Sequence, residues 1–335
     1  MKNMYKTMFF MLMMMGTTIV VSSNSWMSMW IGLEINLLSI IPLTSSIKNK
    51  MESEAAMKYF ITQAMASTIL LLAIIMILSN NDILKSTKIS SIIMDTAILT
   101  KMGAAPLHFW FPEVMEGLSW INSTIMLTWQ KIAPMIIFMY SVKPMLFTII
   151  IIISCMMVSG LTGINQTSMR KILAYSSINH IGWMMGAMLT NQTLWIIYFT
   201  IYSLMTLNIT IMFKMLNIST ISQMINSMNK KKTMKIMFSL NFLSLGGIPP
   251  FIGFFPKWIT IQTMIQENMY MITLVMIVMT LLTLTFYMRV TLSSGIMMST
   301  ENMKISEENP FPMIFITNFV ILSSMSTCPM MISFI

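Results

Sequence analysis

Residues 238–258 read FSLNFLSLGGIPPFIGFFPKW. An apolar run is interrupted at Gly246, Gly247, Pro249 and Pro250, resumes with aromatic residues, and carries Lys257 directly after Pro256. Proline removes a backbone donor and its ring clashes with the preceding turn, so the run predicts a helix broken at 246–250. Residues 92–114, IIMDTAILTKMGAAPLHFWFPEV, repeat the construction. Pro106 is followed by Phe111-Pro112 as Pro250 is by Phe255-Pro256, and Lys101 stands beside it. A broken helix survives in a bilayer only where buried protein or cavity water satisfies the freed backbone groups. Polar volume is therefore expected beside Lys101 and Lys257. A kink serving packing alone is the plainer reading, but it leaves a lysine beside each break unexplained.

The bilayer itself follows from composition. The 335 residues are 56% hydrophobic and 9% charged, where a soluble domain carries roughly 25% charged residues. Mean hydropathy is +0.76. A span needs about 20 apolar residues. Eleven stretches qualify: 4–22, 25–46, 56–79, 90–112, 120–141, 145–163, 170–190, 192–214, 236–265, 269–290 and 311–333. Connections are short, and the largest polar stretches are 217–235 and 293–309. The chain reads as an all-α polytopic membrane protein with a single membrane domain. Helices one to five (1–142) and six to ten (143–292) form two five-helix units, followed by a linker and C-terminal helix (293–335). The two interrupted helices are the fourth of each unit. Five is odd, so the second unit is inverted relative to the first, an arrangement that points to a transport site.

The net charge of +9 falls mainly in short loops and is a topology signal, with no nucleic-acid partner implied. Fourteen of the 20 Lys and Arg fall on the N-terminal side of the alternating loops and three on the other. Basic loops stay inside, so the N-terminus is expected to face inside. The N-terminal run MKNMYKTMFFMLMMMGTTIVV begins basic and turns apolar without a small-residue cleavage site after it, and reads as a retained helix. The 46 methionines have no regular spacing and read as replacements for Leu, Ile and Val. Cys155 and Cys328 are far apart in apolar segments, without metal spacing. No nucleotide loop or nucleophile elbow is present.

Four ionisable residues lie deep in apolar stretches: Glu34, Lys101, Lys131 and Lys257. A charge at the bilayer centre costs about 2.5–3.5 kcal/mol on insertion scales, so such residues are rare and usually functional. A buried lysine can gain and lose a proton as a carboxylate approaches or withdraws, which is the chemistry of a proton relay. A static ion pair accounts for Glu34 and one lysine only. Glu34 is expected near Lys101, with Lys131 and Lys257 continuing a polar chain. Asp95, nearer the membrane edge than Lys101, and Glu113 and Glu116, which follow Pro112, read as peripheral, with the lining of an entry route as the other reading. His108 and His180 read as packing residues, the latter among Tyr175, Ser176, Ser177 and Asn179.

WIGLEINLLSIIP (30–42), AMKYFITQAMAS (56–67), KMGAAPLHFWFPEV (101–114), RKILAYSSINHIGWMM (170–185) and LSLGGIPPFIGFFPKW (243–258) together resemble the subunit 2 family of animal mitochondrial NADH dehydrogenase (ubiquinone). These are antiporter-like, proton-pumping subunits of the respiratory complex I membrane arm. The methionine richness resembles that of insect mitochondrial proteins. The resemblance implies two inverted five-helix units and eleven helices. It implies a pumping glutamate at Glu34 paired with Lys101, a central lysine at Lys131 and a lysine on the second broken helix at Lys257. It places flavin, iron–sulfur clusters and quinone in other subunits, with no cofactor and no metal in this chain. Implied neighbours are subunits 4 and 4L, the lateral helix of subunit 5, and membrane lipid. The implied location is the mitochondrial inner membrane, N-terminus in the matrix. A free-standing or multi-subunit cation/proton antiporter would share the lysines and broken helices, and a structural spacer would tolerate their loss.

Overall fold

The computed structural model describes residues 2–46, 49–79, 86–141, 145–228, 232–249 and 251–296. These residues form fourteen helical segments: α1 (Lys2–Ser22), α2 (Trp26–Thr44), α3 (Lys50–Ser79), α4 (Ser86–Met102), α5 (Trp110–Gly117), α6 (Trp120–Leu127), α7 (Trp129–Ser141), α8 (Met145–Gly163), α9 (Met169–Thr190), α10 (Gln192–Leu216), α11 (Ile221–Met228), α12 (Lys232–Gly246), α13 (Phe254–Gln266) and α14 (Tyr270–Ile296). Six of them, α1, α2, α3, α8, α10 and α14, are each long and apolar enough to cross a membrane.

Helical segments lie in each of the first ten of the eleven expected stretches, and the eleventh, 311–333, lies outside the described residues. The stretches 90–112 and 236–265 are each two helices, as their glycines and prolines predict. The stretch 120–141 is not one helix either: α6 stops at Leu127 and α7 starts at Trp129. Pro134 lies inside α7. It cannot donate to the Gln130 carbonyl one turn earlier and its ring crowds that carbonyl. Ahead of it, at the start of α7, the amide of Lys131 donates to the Thr128 carbonyl at 3.2 Å. The polar stretch 217–235, expected to be a connection, contains α11. The start of the expected 293–309 connection continues α14 to Ile296.

Local chemistry sets several ends. Ser25 caps α2, its hydroxyl accepting from the Ser28 amide at 3.3 Å. Asn217 ends α10 in the left-handed region, φ 48°, where asparagine is tolerated.

The chain divides into two compact units, the first Met1–Cys155 and the second beginning at Met156. In the first, α1 lies against α2, and α4 packs on α3 and α7. Gly16 and Gly32 let the first two helices meet at backbone distance. A Cβ added to Gly32 would stand 2.9 Å from the Gly16 carbonyl oxygen, the small-residue contact that membrane helices use. In the second, α9 packs on α10 and α13, and α12 on α14. Both units are inside-out by soluble standards. Met4, Met8, Met11, Phe60, Met65, Leu274 and Leu281 are exposed, whereas Asn36, Gln63, Asp95, Lys131, Asn179 and Lys257 are buried. Lipid is as apolar as a leucine, so apolar residues can face outward and polar ones must find partners inside.

Candidate functional site

The two expected breaks are built alike. α4 ends at Met102 and α12 at Gly246, and each is followed by a glycine in the left-handed region, Gly103 at φ 73° and Gly247 at φ 75°. Glycine takes this conformation without the steric cost other residues meet. Beyond it, the Ala104 amide donates to the Leu99 carbonyl at 3.1 Å and the Ile248 amide to the Leu243 carbonyl at 3.4 Å, the helix-closing bond of a Schellman-type end. Re-entry is alike as well: the Phe111 amide donates to the His108 carbonyl at 2.9 Å, and that of Phe255 to Ile252 at 3.2 Å. Pro250 lies outside the described residues.

Polar side chains take up the freed groups. At the first break the Ala105 amide donates to Cys155 Sγ at 3.2 Å, and the Ser154 hydroxyl donates to the Ala105 carbonyl at 2.9 Å. Trp110 Nε1 donates to the Thr100 carbonyl at 3.1 Å. At the second, Lys257 Nζ itself donates to the Gly246 carbonyl at 2.9 Å. Each of the three buried lysines thus stands within about one turn of a helix discontinuity: Lys101 before the first, Lys131 after Thr128, Lys257 after the second.

In the first unit Lys101 is 7% exposed, and its Nζ has no hydrogen-bond partner among the described residues. It lines a cavity with Leu33, Asn36, Tyr59, Gln63, Gln130 and Pro134. The cavity has about 10 Å³ of water-accessible volume, room for about one water. Its polar wall is a set of amides. Asn36 Nδ2 donates to Gln130 Oε1 at 3.1 Å and Gln130 Nε2 to Asn36 Oδ1 at 2.9 Å. Tyr59 Oη donates to Gln130 Oε1 at 3.3 Å, and Gln63 Nε2 to the Lys101 carbonyl at 3.4 Å. Glu34 is half-buried and within electrostatic reach of Lys101, but forms no ion pair within 4.0 Å among the described residues. Lys131 is buried, its Nζ 5.5 Å from the Phe111 ring centroid, and Cys155 lies in its electrostatic neighbourhood. The break thereby serves two lysines: it ends the helix of Lys101 and seats Phe111 on Lys131.

In the second unit Lys257 is 5% exposed, with Nζ 5.9 Å from the Trp183 ring centroid. Trp183 ends a buried polar strip on α9. Asn179 Nδ2 donates to Thr283 Oγ1 at 3.3 Å, and His180 Nδ1 and Tyr198 Oη share a hydrogen bond of 2.9 Å. Tyr202 and Tyr287 are fully buried in this unit. His180 is therefore hydrogen-bonded as well as packed.

Of the acids expected at the periphery, Glu113 is exposed and pairs with Lys58 at 3.0 Å. Asp95, toward the start of α4 from Lys101, is buried, at 0% exposed. α4 packs on α3 and α7, and Ser141 at the end of α7 is a polar neighbour of Asp95. Asn36, Gln63 and Gln130 were missed as site residues. Their signal was available, since each is an amide in an apolar run, two of them within two residues of Glu34 or Lys131. Among the described residues no group of His, Cys, Asp and Glu could hold a metal ion.

Comparison with known proteins agrees with this architecture. The family described as NADH:quinone oxidoreductase/Mrp antiporter, TM, matches residues 23–285. The chain is 47% identical to NADH-ubiquinone oxidoreductase chain 2 of Anopheles gambiae, over 88% of this chain and 86% of that one. It is 45% identical to the protein of the same name from Locusta migratoria, over 90% and 88%. A chain of respiratory complex I from Thermus thermophilus superposes with TM-score 0.83 at 21% identity, covering 96% of this chain and 78% of that chain. A chain of the Mrp complex from Dietzia gives 0.73 at 16%, covering 84% and 59%. The span of the family match and the identity to the insect proteins make this chain a member of the NADH:quinone oxidoreductase/Mrp antiporter transmembrane family.

Proposed function

We propose that the chain is a proton-translocating core subunit of the membrane arm of NADH:ubiquinone oxidoreductase, a multi-pass protein of the mitochondrial inner membrane. The observation that carries the reading is the placement of Lys101, Lys131 and Lys257, each buried at a helix discontinuity, in a chain 45–47% identical to insect proteins named as a subunit of that oxidoreductase.

The residues have the following work. Glu34 sets the field at Lys101: a carboxylate within reach favours the ammonium, and its protonation or withdrawal favours release. Lys101 exchanges protons within the amide-lined cavity, where Gln130 hydrogen-bonds from the residue next to Lys131. Phe111 offers Lys131 a π face that favours its charged form without fixing the proton. The Gly246 carbonyl accepts from an ammonium and, more weakly, from an amine, so Lys257 keeps a partner in both states. Glu34, Lys101, Lys131 and Lys257 are the relay. A broken pair of helices, α4–α5 or α12–α13, counts as one crossing, and the like construction of the breaks supports two inverted five-helix units. Flavin, iron–sulfur clusters and quinone belong to other subunits, and redox energy reaches this chain through its neighbours. Those neighbours include subunits 4 and 4L and the lateral helix of subunit 5. The N-terminus faces the matrix.

Lys131→Met in the intact complex tests the relay. Coupled NADH:ubiquinone turnover and proton pumping are expected to fall by at least about tenfold, within the range of a lost proton-transfer group. Assembly, and NADH oxidation by an artificial acceptor at the flavin, are expected to persist. A mutant that assembles and keeps the normal proton-to-electron ratio removes Lys131 from the relay. A cation/proton antiporter working apart from any dehydrogenase is the other reading the family admits. Purification separates them: the proposed function requires the chain to migrate in a megadalton assembly.

A further inference from the structure

Among the described residues of the first unit two cations are buried, Lys101 and Lys131, and Glu34 is only half-buried. Asp95, on α4, is more buried than any of them. Neither of its carboxylate oxygens has a hydrogen-bond partner among the described residues. Its polar neighbour is Ser141, at the end of α7, and that hydroxyl is already donated to the Phe138 carbonyl at 3.1 Å. Among the described residues the other elements offer no counter-charge at its level. Gln63 of α3 meets α4 at Lys101. From there toward the start of α4 the antiparallel α3 presents buried Ser67, Leu70, Ala73 and Ile74. The charged groups of α3, Glu52, Glu54 and Lys58, lie at its far end. Lys131 stands at the start of α7, about ten residues and so about 15 Å along the helix from Ser141.

An ionised carboxylate held in this way is costly, and a neutral one still forgoes its hydrogen bonds. Asparagine or leucine would pack at this position at less cost, and an ionisable group kept inside a membrane bundle is by default a functional one. α4 begins, and α7 ends, on the same side of the first unit, so Asp95 stands between the level of the lysines and that side.

We propose that Asp95 is a further proton-carrying residue of the first unit. Its carboxylate accepts a proton given up by the buried lysines, becoming the neutral acid while a lysine ammonium becomes an amine, and it passes that proton to the side at which α4 begins. Ser141, turning its hydroxyl from Phe138 to Asp95, serves the ionised form. This rests on the translocation reading above.

The test is Asp95→Asn in the intact complex in sealed vesicles, beside Lys131→Met. Asparagine keeps the shape and cannot carry the proton. Assembly and flavin-site NADH oxidation are expected to persist while pumping and coupled turnover fall at least about fivefold, with Asp95→Glu restoring most of the loss. An Asp95→Asn complex with normal turnover and proton-to-electron ratio overturns the proposal. If Lys131→Met is impaired in the same preparation, only the role of Asp95 fails; if both are normal, the translocation reading fails with it. Should Asp95→Asn not assemble, Ser141→Ala decides: the proposal expects the pH midpoint of coupled turnover to move by at least about half a unit, and an unchanged profile overturns it.

Discussion

Lys257 and Gly247 form one device. The lysine reaches back across the break to the carbonyl of Gly246, and its chain runs over the open face of Gly247. A Cβ there would stand 2.9 Å from both Cδ and Nζ of Lys257. At φ 75° a side chain also costs about 1–2 kcal/mol. Gly247→Ala should therefore lift Lys257 from its carbonyl. Coupled turnover is expected to fall several-fold with assembly intact, because the strain is small beside the stability of a bundle while the displaced atom is the one to which the proposed relay gives the proton. Turnover equal to wild type would mean that the Lys257–Gly246 contact is not used. The residue scale also explains which polar groups are safe inside. Asn36 and Gln130 satisfy one another through two bonds, whereas Lys101 and Asp95 have no hydrogen-bond partner among the described residues. An open polar group costs several kcal/mol in such surroundings, so the open ones are where function is sought.

Breaks in the helices are the elements' contribution. Each puts backbone polarity at a depth where side chains alone would have to supply it, and a lysine stands at each. The α6–α7 break differs from the other two in having no glycine: it falls at Thr128, whose amide and hydroxyl both donate to the Thr124 carbonyl. Between whole helices, close approach matters more than hydrophobicity, because lipid competes equally for apolar surface. The α1–α2 contact depends on it. Gly32→Leu would drive its side chain into Val20 and the backbone of Gly16. Overpacking of this kind costs about 1–3 kcal/mol, and here it pushes apart the helix that carries Glu34 and Asn36. The expected result is less assembled complex on native gels and a lowered thermal midpoint, with Gly32→Ala intermediate. Full assembly of Gly32→Leu would show the contact to be dispensable.

At the scale of the molecule, the proposed topology rests on the bias of basic residues. The loop between α8 and α9 leads into Arg170 and Lys171, while Asn191, between α9 and α10, has no basic residue within a turn of it. A cysteine placed at Gln166 is expected to react with impermeant reagent from the matrix side, and one at Asn191 from the other. The reverse pattern would invert the proposed orientation.

The sequence by itself determined what is local or additive. Apolar length and the scarcity of charge make the chain a membrane bundle. Glycine and proline, whose effects act within a turn, located both glycine-containing breaks. The stretch 170–190 became α9, Met169–Thr190, because its ends are marked by polar residues. The four deep ionisable residues were legible because charge in an apolar run is conspicuous, and the family resemblance rested on the same motifs. What only the tertiary structure decided depends on which way side chains turn and on partners far along the chain. Asn36 meets Gln130 across 94 positions, and Cys155 finds the Ala105 amide across 50. Asp95 read as peripheral because distance along α4 suggested it. It is buried, with Ser141 of α7 as a polar neighbour, and direction about a helix axis is fixed by the neighbours it packs against.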